Sequence, residues 1–297
     1  MNELHRGMAD GQVQLFYQPK LRLRSGVVDS SEALMRWNSP SLGPVPADQF
    51  IPLAEETGDI AALTERALAR AIEDHGRFAE AGHKVRIAVN VSATLVSDSE
   101  FAEHVLRMVS AYPDAVSLEL TESADFDNPE QAIEHLQRLA EAGVKIAIDD
   151  YGTGLSSLSY IQRLPTRELK LDRMFLSKLT SSQRDPLLVR STIDLAHALG
   201  LEVVAEGIEN AETLALLAVM GCDAAQWDVA SLRAQAQRKV WSGAAVGNIV
   251  AIRVSLALSR RAQPLSRPSD ERPRGTRSTP YRLHRPASGQ APRSASA

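Results

Sequence analysis

The stretch PEQAIEHLQRLAEAGVKIAIDD, Pro129–Asp150, joins an amphipathic helical pattern over Pro129–Glu141 to a short apolar strand, Val144–Asp149, and ends on two adjacent aspartates. Helix followed by strand is part of a β-α unit, and the alternation continues in both directions. Upstream lie the strands Val85–Val91 and Ser117–Thr121, with a helical segment, Phe101–Ser110, between them. Downstream lie the strands Glu168–Leu171, Leu201–Ala205 and Cys222–Gln226 and the helices Pro186–Leu199 and Ala211–Met220. The last two helices run into Gly200 and Gly221, where a left-handed cap needs no Cβ. Near the N-terminus, strands Gln14–Gln18 and Val27–Arg36 are joined by a turn containing Ser25-Gly26. So short a link suits an antiparallel pair, because a parallel crossover needs a dozen or more residues. Eight strands in this arrangement predict an α/β fold: a TIM-like (β/α)8 barrel whose first strand runs against the rest.

The residues that end the strands carry the chemistry. Asn90, Glu119, Asp149, Asp150, Lys170, Glu206 and Gln226 all lie at or just beyond a strand's C-terminal half. In a β/α barrel those ends converge on one face. Strand alternation sets Glu119 apart from Leu118 and Leu120, and sets Glu168, Lys170 and Asp172 apart from Leu169 and Leu171. Glu32 shares its parity with Leu34 and Arg36 on an earlier strand. Charges facing into a barrel are costly unless they are paired.

Four or five carboxylates and an asparagine at one mouth repel each other unless a cation sits among them. Hard oxygen donors without a His or Cys cluster point to Mg²⁺ or Mn²⁺ rather than zinc. One carboxylate of the aspartate pair could bridge two ions roughly 3.5–4 Å apart, a geometry suited to in-line displacement at phosphorus. Lys170 beside such a centre could hold or deprotonate an attacking water. Structural readings compete. Asp149-Asp150 before Tyr-Gly-Thr-Gly could be an Asx turn. Lys170 could pair with Glu168 or Asp172, Asn90 could cap a helix, and Asp172 and Glu209 read as supporting groups.

Composition bounds the class. The 297 residues are 44% hydrophobic and 24% charged, ordinary for a globular protein. A single cysteine, Cys222, excludes an internal disulfide framework and reads as a small buried hydrophobe. The seven histidines match no metal-ligand spacing. No signal peptide is visible, and the apolar stretch from Gly243 to Leu258 is broken by Asn248 and Arg253, too short to span a bilayer. The expected location is the cytoplasm. Charge is uneven: 13 basic and 3 acidic residues lie from Trp227 onward, against 20 and 34 before it.

Over about residues 1–226 the chain resembles an EAL domain, the family of cyclic-di-GMP phosphodiesterases. The resemblance rests on YQPK (Tyr17–Lys20), EALMRW (Glu32–Trp37), FIPLAEETGDI (Phe50–Ile60), VNVS (Val89–Ser92) and LELTES (Leu118–Ser123). It continues through DDYGTGLSSL (Asp149–Leu158), LPTRELKLDRMF (Leu164–Phe175), AEGIEN (Ala205–Asn210) and GCDAAQ (Gly221–Gln226). It implies hydrolysis of cyclic di-GMP to linear pGpG with two ions, Mg²⁺ or Mn²⁺. By position, Glu32, Asn90, Glu119 and Asp149 would hold the first ion; Asp149 would bridge to the second, with Asp150 beside it. Lys170 would position the water, and Glu206 would assist the second ion or the proton transfer. Glu122 would anchor the loop from Asp150 to Ser157, which couples dimerisation to metal binding in the family. Gln18 and Arg36 would contact the nucleotide, with Gln226 at the edge of the site. The resemblance also implies a homodimer and an upstream sensor or GGDEF domain, or a partner acting in trans; no DNA partner is expected.

After Gln226 the family pattern stops. The segment 227–297 is basic, lacks acidic residues from Val229 to Pro268, and is compositionally disordered over 262–297. The break points to out-of-frame translation or a fusion scar; a natural basic extension is the alternative. Either predicts an atypical last strand and covering helix. Two further readings stand beside the enzyme: a receptor that binds cyclic di-GMP without cleaving it, and a fragment inactivated by its altered C-terminus. The intact set Glu32, Glu119, Asp149, Asp150 and Glu206 favours the enzyme, because degenerate EAL receptors typically lose such carboxylates.

Overall fold

The structure, a computed structural model, describes residues 2–121, 126, 128–152, 161–177, 179–180 and 185–227. Its strands are β1 (Val13–Arg22), β2 (Val28–Ser39), β3 (Gly43–Val45), β4 (Arg86–Asn90), β5 (Val116–Thr121), β6 (Lys145–Tyr151), β7 (Glu168–Leu171), β8 (Glu202–Ile208) and β9 (Ala224–Trp227). They pair in the order β1-β9-β8-β7-β6-β5-β4-β2-β3, and β1 also pairs with β2. That last pairing closes eight strands into a barrel and leaves β3 as an addition on β2. The strand β1 is antiparallel to β2 and to β9, while β2 and β4 through β9 run parallel. The expected barrel with its reversed first strand is what forms.

Helices cover the outside. They are α1 (Asn2–Ala9), α2 (Ala47–Thr57), α3 (Ile60–Glu80), α4 (Ala93–Ser97), α5 (Ser99–Ser110), α6 (Pro129–Glu141), α7 (Arg173–Leu176), α8 (Asp185–Ala198) and α9 (Ala211–Val219). In α3, Ile60, Leu63, Ala67, Leu68, Ala71 and Phe78 recur at helical spacing and are buried. Burying each large side chain there contributes about 1.5–3 kcal/mol. They pack in one core with the outward faces of the neighbouring strands, among them Ile87 and Val89 on β4 and Leu118 and Leu120 on β5. Helix starts are set by side chains: Asp98 accepts from the Glu100 and Phe101 amides, Asn128 from Gln131, and Asn210 from Thr213. Asp172 caps α7 by accepting from the Met174 amide at 2.7 Å. Gly200 and Gly221 take the left-handed conformation expected of them, at φ 76° and 86°.

The sequence reading does not find β3 or α3. Three residues, Gly43-Pro44-Val45, are too few to show a strand period. The helix α3 is the crossover between the parallel strands β2 and β4. Trp227, where the basic segment begins, is the last residue of β9 and is buried; residues 228–297 lie outside the described residues.

Candidate active site at the barrel mouth

Alternation along the strands turns the charged residues inward. Lys20 on β1, Glu32 on β2, Glu119 on β5, Asp149 on β6, Glu168 and Lys170 on β7 and Gln226 on β9 are all buried. Barrel interiors are usually filled by branched apolar side chains; this one holds a network of opposite charges.

At its centre is Lys170, whose side chain is fully buried. Its Nζ lies 2.7 Å from Glu206 Oε1, 2.8 Å from Asp149 Oδ2, 2.9 Å from Glu119 Oε2 and 3.3 Å from Glu32 Oε2. The chain thus supplies one cation to the carboxylate cluster itself. Burial disfavours the ammonium, but the surrounding carboxylates outweigh burial and hold its pKa well above the ordinary value. Lys170 does not pair with Glu168 or Asp172; Glu168 pairs instead with Lys20 at 2.6 Å and Lys145 at 2.7 Å.

Glu32 is held from two further sides. Asn90 Nδ2 donates to its Oε1 at 2.8 Å and Gln226 Nε2 to its Oε2 at 2.5 Å. Burial raises its pKa, but Lys170 and these two donors bring it below the usual carboxylate range. Asn90 therefore serves the mouth and caps no helix. The other amide atom of Gln226, Oε1, is buried without a hydrogen-bond partner among the described residues.

The adjacent aspartates need a local distortion to converge, because neighbours on a regular strand face opposite ways. The pairing of β6 with β7 shifts register between Ile148 and Tyr151. Asp150 takes φ 55°, the only positive φ of a non-glycine residue among those described, and its amide donates to Asp149 Oδ1 at 2.8 Å. A non-glycine residue in that region is strained and tends to mark a functional site. Burial and the Asp149 charge raise the Asp150 carboxyl. Glu206 shares the inward parity of Glu202 and Val204, which pair with Glu168 and Lys170, and beside it the β8–β9 pairing shifts register between Ala205 and Ile208, with Gly207 at φ 65°. Burial, reinforced by the Asp149 and Glu32 charges against the pull of Lys170, pushes the Glu206 carboxyl up to about 8.

Two groups of carboxylates result, Glu32–Glu119–Asp149 and Asp149–Asp150–Glu206, each with oxygens within 4.8 Å of one another and each able to hold a metal ion. Asp149 belongs to both. The donors are oxygen, with no His or Cys in either group, so they fit hard divalent ions better than zinc. The carboxylates of the two groups outnumber the two ammonium groups that meet them, Lys170 and Lys20, which favours cations.

A family model for the EAL domain matches residues 1–231. The chain belongs to the EAL domain family. This EAL domain is 41% identical over 228 residues to the cyclic di-GMP phosphodiesterase NbdA of Pseudomonas aeruginosa, covering 75% of this chain and 29% of that protein. It is 32% identical over 224 residues to the cyclic di-GMP phosphodiesterase RocR of the same organism, covering 74% and 57%. Among solved structures, the MucR phosphodiesterase of P. aeruginosa in complex with c-di-GMP superposes with a TM-score of 0.70 at 35% identity, covering 76% of this chain and 93% of that one. The EAL domain thus spans well under two thirds of these curated relatives.

The other positions expected for the EAL domain are placed less centrally. Gln18 sits opposite Glu32 across the β1–β2 pair and donates to the Trp227 carbonyl at 2.6 Å. Arg36 is exposed and donates to the Met35 carbonyl. It stands four residues beyond Glu32, about 13 Å along the strand, and is not joined to the carboxylates. Glu122 lies outside the described residues. Residues the sequence reading missed are Lys20, Lys145 and Glu202. Lys145 lies 2.5 Å from Glu202, which Arg22 meets at 3.2 Å. Their signal was strand parity: Lys145 precedes Asp149 by four residues, Glu202 precedes Glu206 by four, and Lys20 follows Gln18 by two. No helix among the described residues is long and apolar enough to cross a membrane.

Proposed function

We propose that this chain hydrolyses cyclic di-GMP to linear pGpG, using two divalent ions, Mg²⁺ or Mn²⁺. The observation that carries the reading is the pair of acidic groups sharing Asp149. Glu32, Asn90, Glu119 and Asp149 hold one ion; Asp149, Asp150 and Glu206 hold the other. Bound there, divalent ions supply Lewis-acid stabilisation of the charge that develops on a phosphoryl group. Lys170 acts as an ammonium, its N–H groups orienting the water for in-line attack. Glu206, paired to Lys170 at 2.7 Å, would assist the second ion or, once that ion's charge has ionised it, the proton transfer. The free Oε1 of Gln226 offers an acceptor to the nucleotide. Gln18 and Arg36 line the outer approach, where the Arg36 fork suits a phosphate. The support for cyclic di-GMP is likeness to NbdA, RocR and the MucR complex. The reading extends to a cytoplasmic homodimer controlled by a sensor or GGDEF domain, in the same protein or in a partner.

The test is incubation of the full chain with cyclic di-GMP and Mg²⁺ or Mn²⁺, with Glu32→Ala beside it, and chromatography of the product. Metal-dependent pGpG that disappears in the variant is expected. Nucleotide binding without turnover would replace this reading by that of a receptor; neither binding nor turnover would leave a fragment inactivated by its altered C-terminus.

A further inference from the structure

Below the mouth, Glu119 is held from both sides. It is completely buried, and its two oxygens go to different ammonium groups: Oε2 to Lys170 at 2.9 Å and Oε1 to Lys20 at 2.6 Å. Lys20 reaches in from β1, the one antiparallel strand of the barrel, and is itself only 2% exposed. Its Nζ also lies 2.6 Å from Glu168 Oε1. Glu168 also has a second ammonium, since Lys145 meets its other oxygen at 2.7 Å. Oε1 of Glu119, by contrast, meets no other ammonium among the described residues.

We propose that Lys20 is a positioning residue for Glu119: it pins Oε1 on the floor of the mouth so that Oε2 stays turned toward Asp149 and Glu32 as a ligand for a divalent ion. This rests on the reading of Glu119 as a metal ligand. The physical reason is that a buried carboxylate with one oxygen free would rotate to satisfy it, and the acidic group of Glu32, Glu119 and Asp149 would lose its convergence. Groups that orient a ligand from behind commonly change metal affinity by about 10–100-fold when removed.

A merely structural role for Lys20 would be to neutralise Glu168, so the experiment removes both charges together. The full chain carrying Lys20→Met and Glu168→Gln is compared with the unaltered chain by thermal unfolding in EDTA and by Mn²⁺ titration calorimetry. The expected result is a melting temperature within a few degrees of the unaltered chain and Mn²⁺ affinity at the Glu119 site at least about tenfold weaker. Equal Mn²⁺ affinity in the folded double variant overturns the inference. Should that variant fail to fold, Lys20→Leu with Glu168→Gln, which likewise offers Glu119 no donor but has a shorter apolar side chain, replaces it under the same two criteria. Absence of Mn²⁺ binding by the unaltered chain would instead sink the metal reading itself.

Discussion

Asp149 Oδ2 lies 2.8 Å from Lys170 Nζ, and Asp149 is the one carboxylate common to both acidic groups at the barrel mouth. The residue that links the two candidate ion sites is therefore also tied to the chain's own buried cation. Charge balance at the mouth and the candidate ion sites meet in this contact.

Asp149→Asn keeps the shape and the backbone bonding but removes the shared charge. Mn²⁺ stoichiometry should fall, and metal-dependent hydrolysis should drop by at least about a hundredfold, equivalent to about 2.7 kcal/mol of transition-state stabilisation. Calorimetry and initial rates check both. Full stoichiometry in the variant would mean that the two groups do not share a ligand.

Lys170→Met leaves Glu32, Glu119, Asp149 and Glu206 facing one another without their cation. Breaking a buried charge network from one side costs about 3–5 kcal/mol. The metal-free variant should unfold at correspondingly lower urea, and Mn²⁺ should raise its melting temperature more than that of the unaltered chain. Urea curves in EDTA and thermal melts with Mn²⁺ measure the two effects; an unchanged midpoint would show that the cluster is relieved in another way.

Gly207→Ala tests the second distortion. Gly207 has φ 65°, and a Cβ there would lie 2.5 Å from the Cβ of Arg173. The left-handed conformation alone costs an alanine about 1–2 kcal/mol, and the crowding adds to it. Glu206 should move with the strand, so hydrolysis should fall further than the loss of stability accounts for under folding conditions. Thermal melts and rates on the folded variant separate the two.

Glu168 gives a pH prediction of definite sign. Burial would raise its carboxyl, but Lys20 and Lys145 outweigh burial and bring it from the ordinary 4.5 down to about 2. A depressed carboxyl stabilises the fold fully above pH 4.5 and loses that contribution as pH falls from 4.5 toward 2. The stability gap between the unaltered chain and Glu168→Gln should therefore narrow between pH 6 and pH 3. Urea unfolding at pH 6, 4 and 3 measures it; a constant gap would contradict the ion pairs.

The parts of the site legible in the sequence were those written in strand alternation. Glu119 between Leu118 and Leu120, and Lys170 between Leu169 and Leu171, announce an inward polar face under period two. The same rule applied to Lys145, Glu202 and Lys20 marks them as inward too, but each could equally be a solvated end of its strand. Lys170 looked as ready to pair with Glu168, two residues away, as with anything else. Same-strand neighbours two apart point in parallel and compete for partners on other strands, so Glu168 takes Lys20 and Lys145 while Lys170 takes the carboxylates of the mouth.

The sequence by itself determined the barrel, its reversed first strand and the identity of the groups at the mouth. Alternating apolar faces and helix-strand spacing are local properties, and the short Ser25-Gly26 turn permits only an antiparallel pair. Tertiary structure alone decided who meets whom. Lys170 reaches Glu32 across 138 positions of sequence and Lys20 reaches Glu119 across 99. Such pairs exist only once eight strands have closed in one register. Register also decided that Asp149 and Asp150 join one acidic group: the shift against β7, with Asp150 at φ 55°, lets two neighbours on one strand turn to the same mouth.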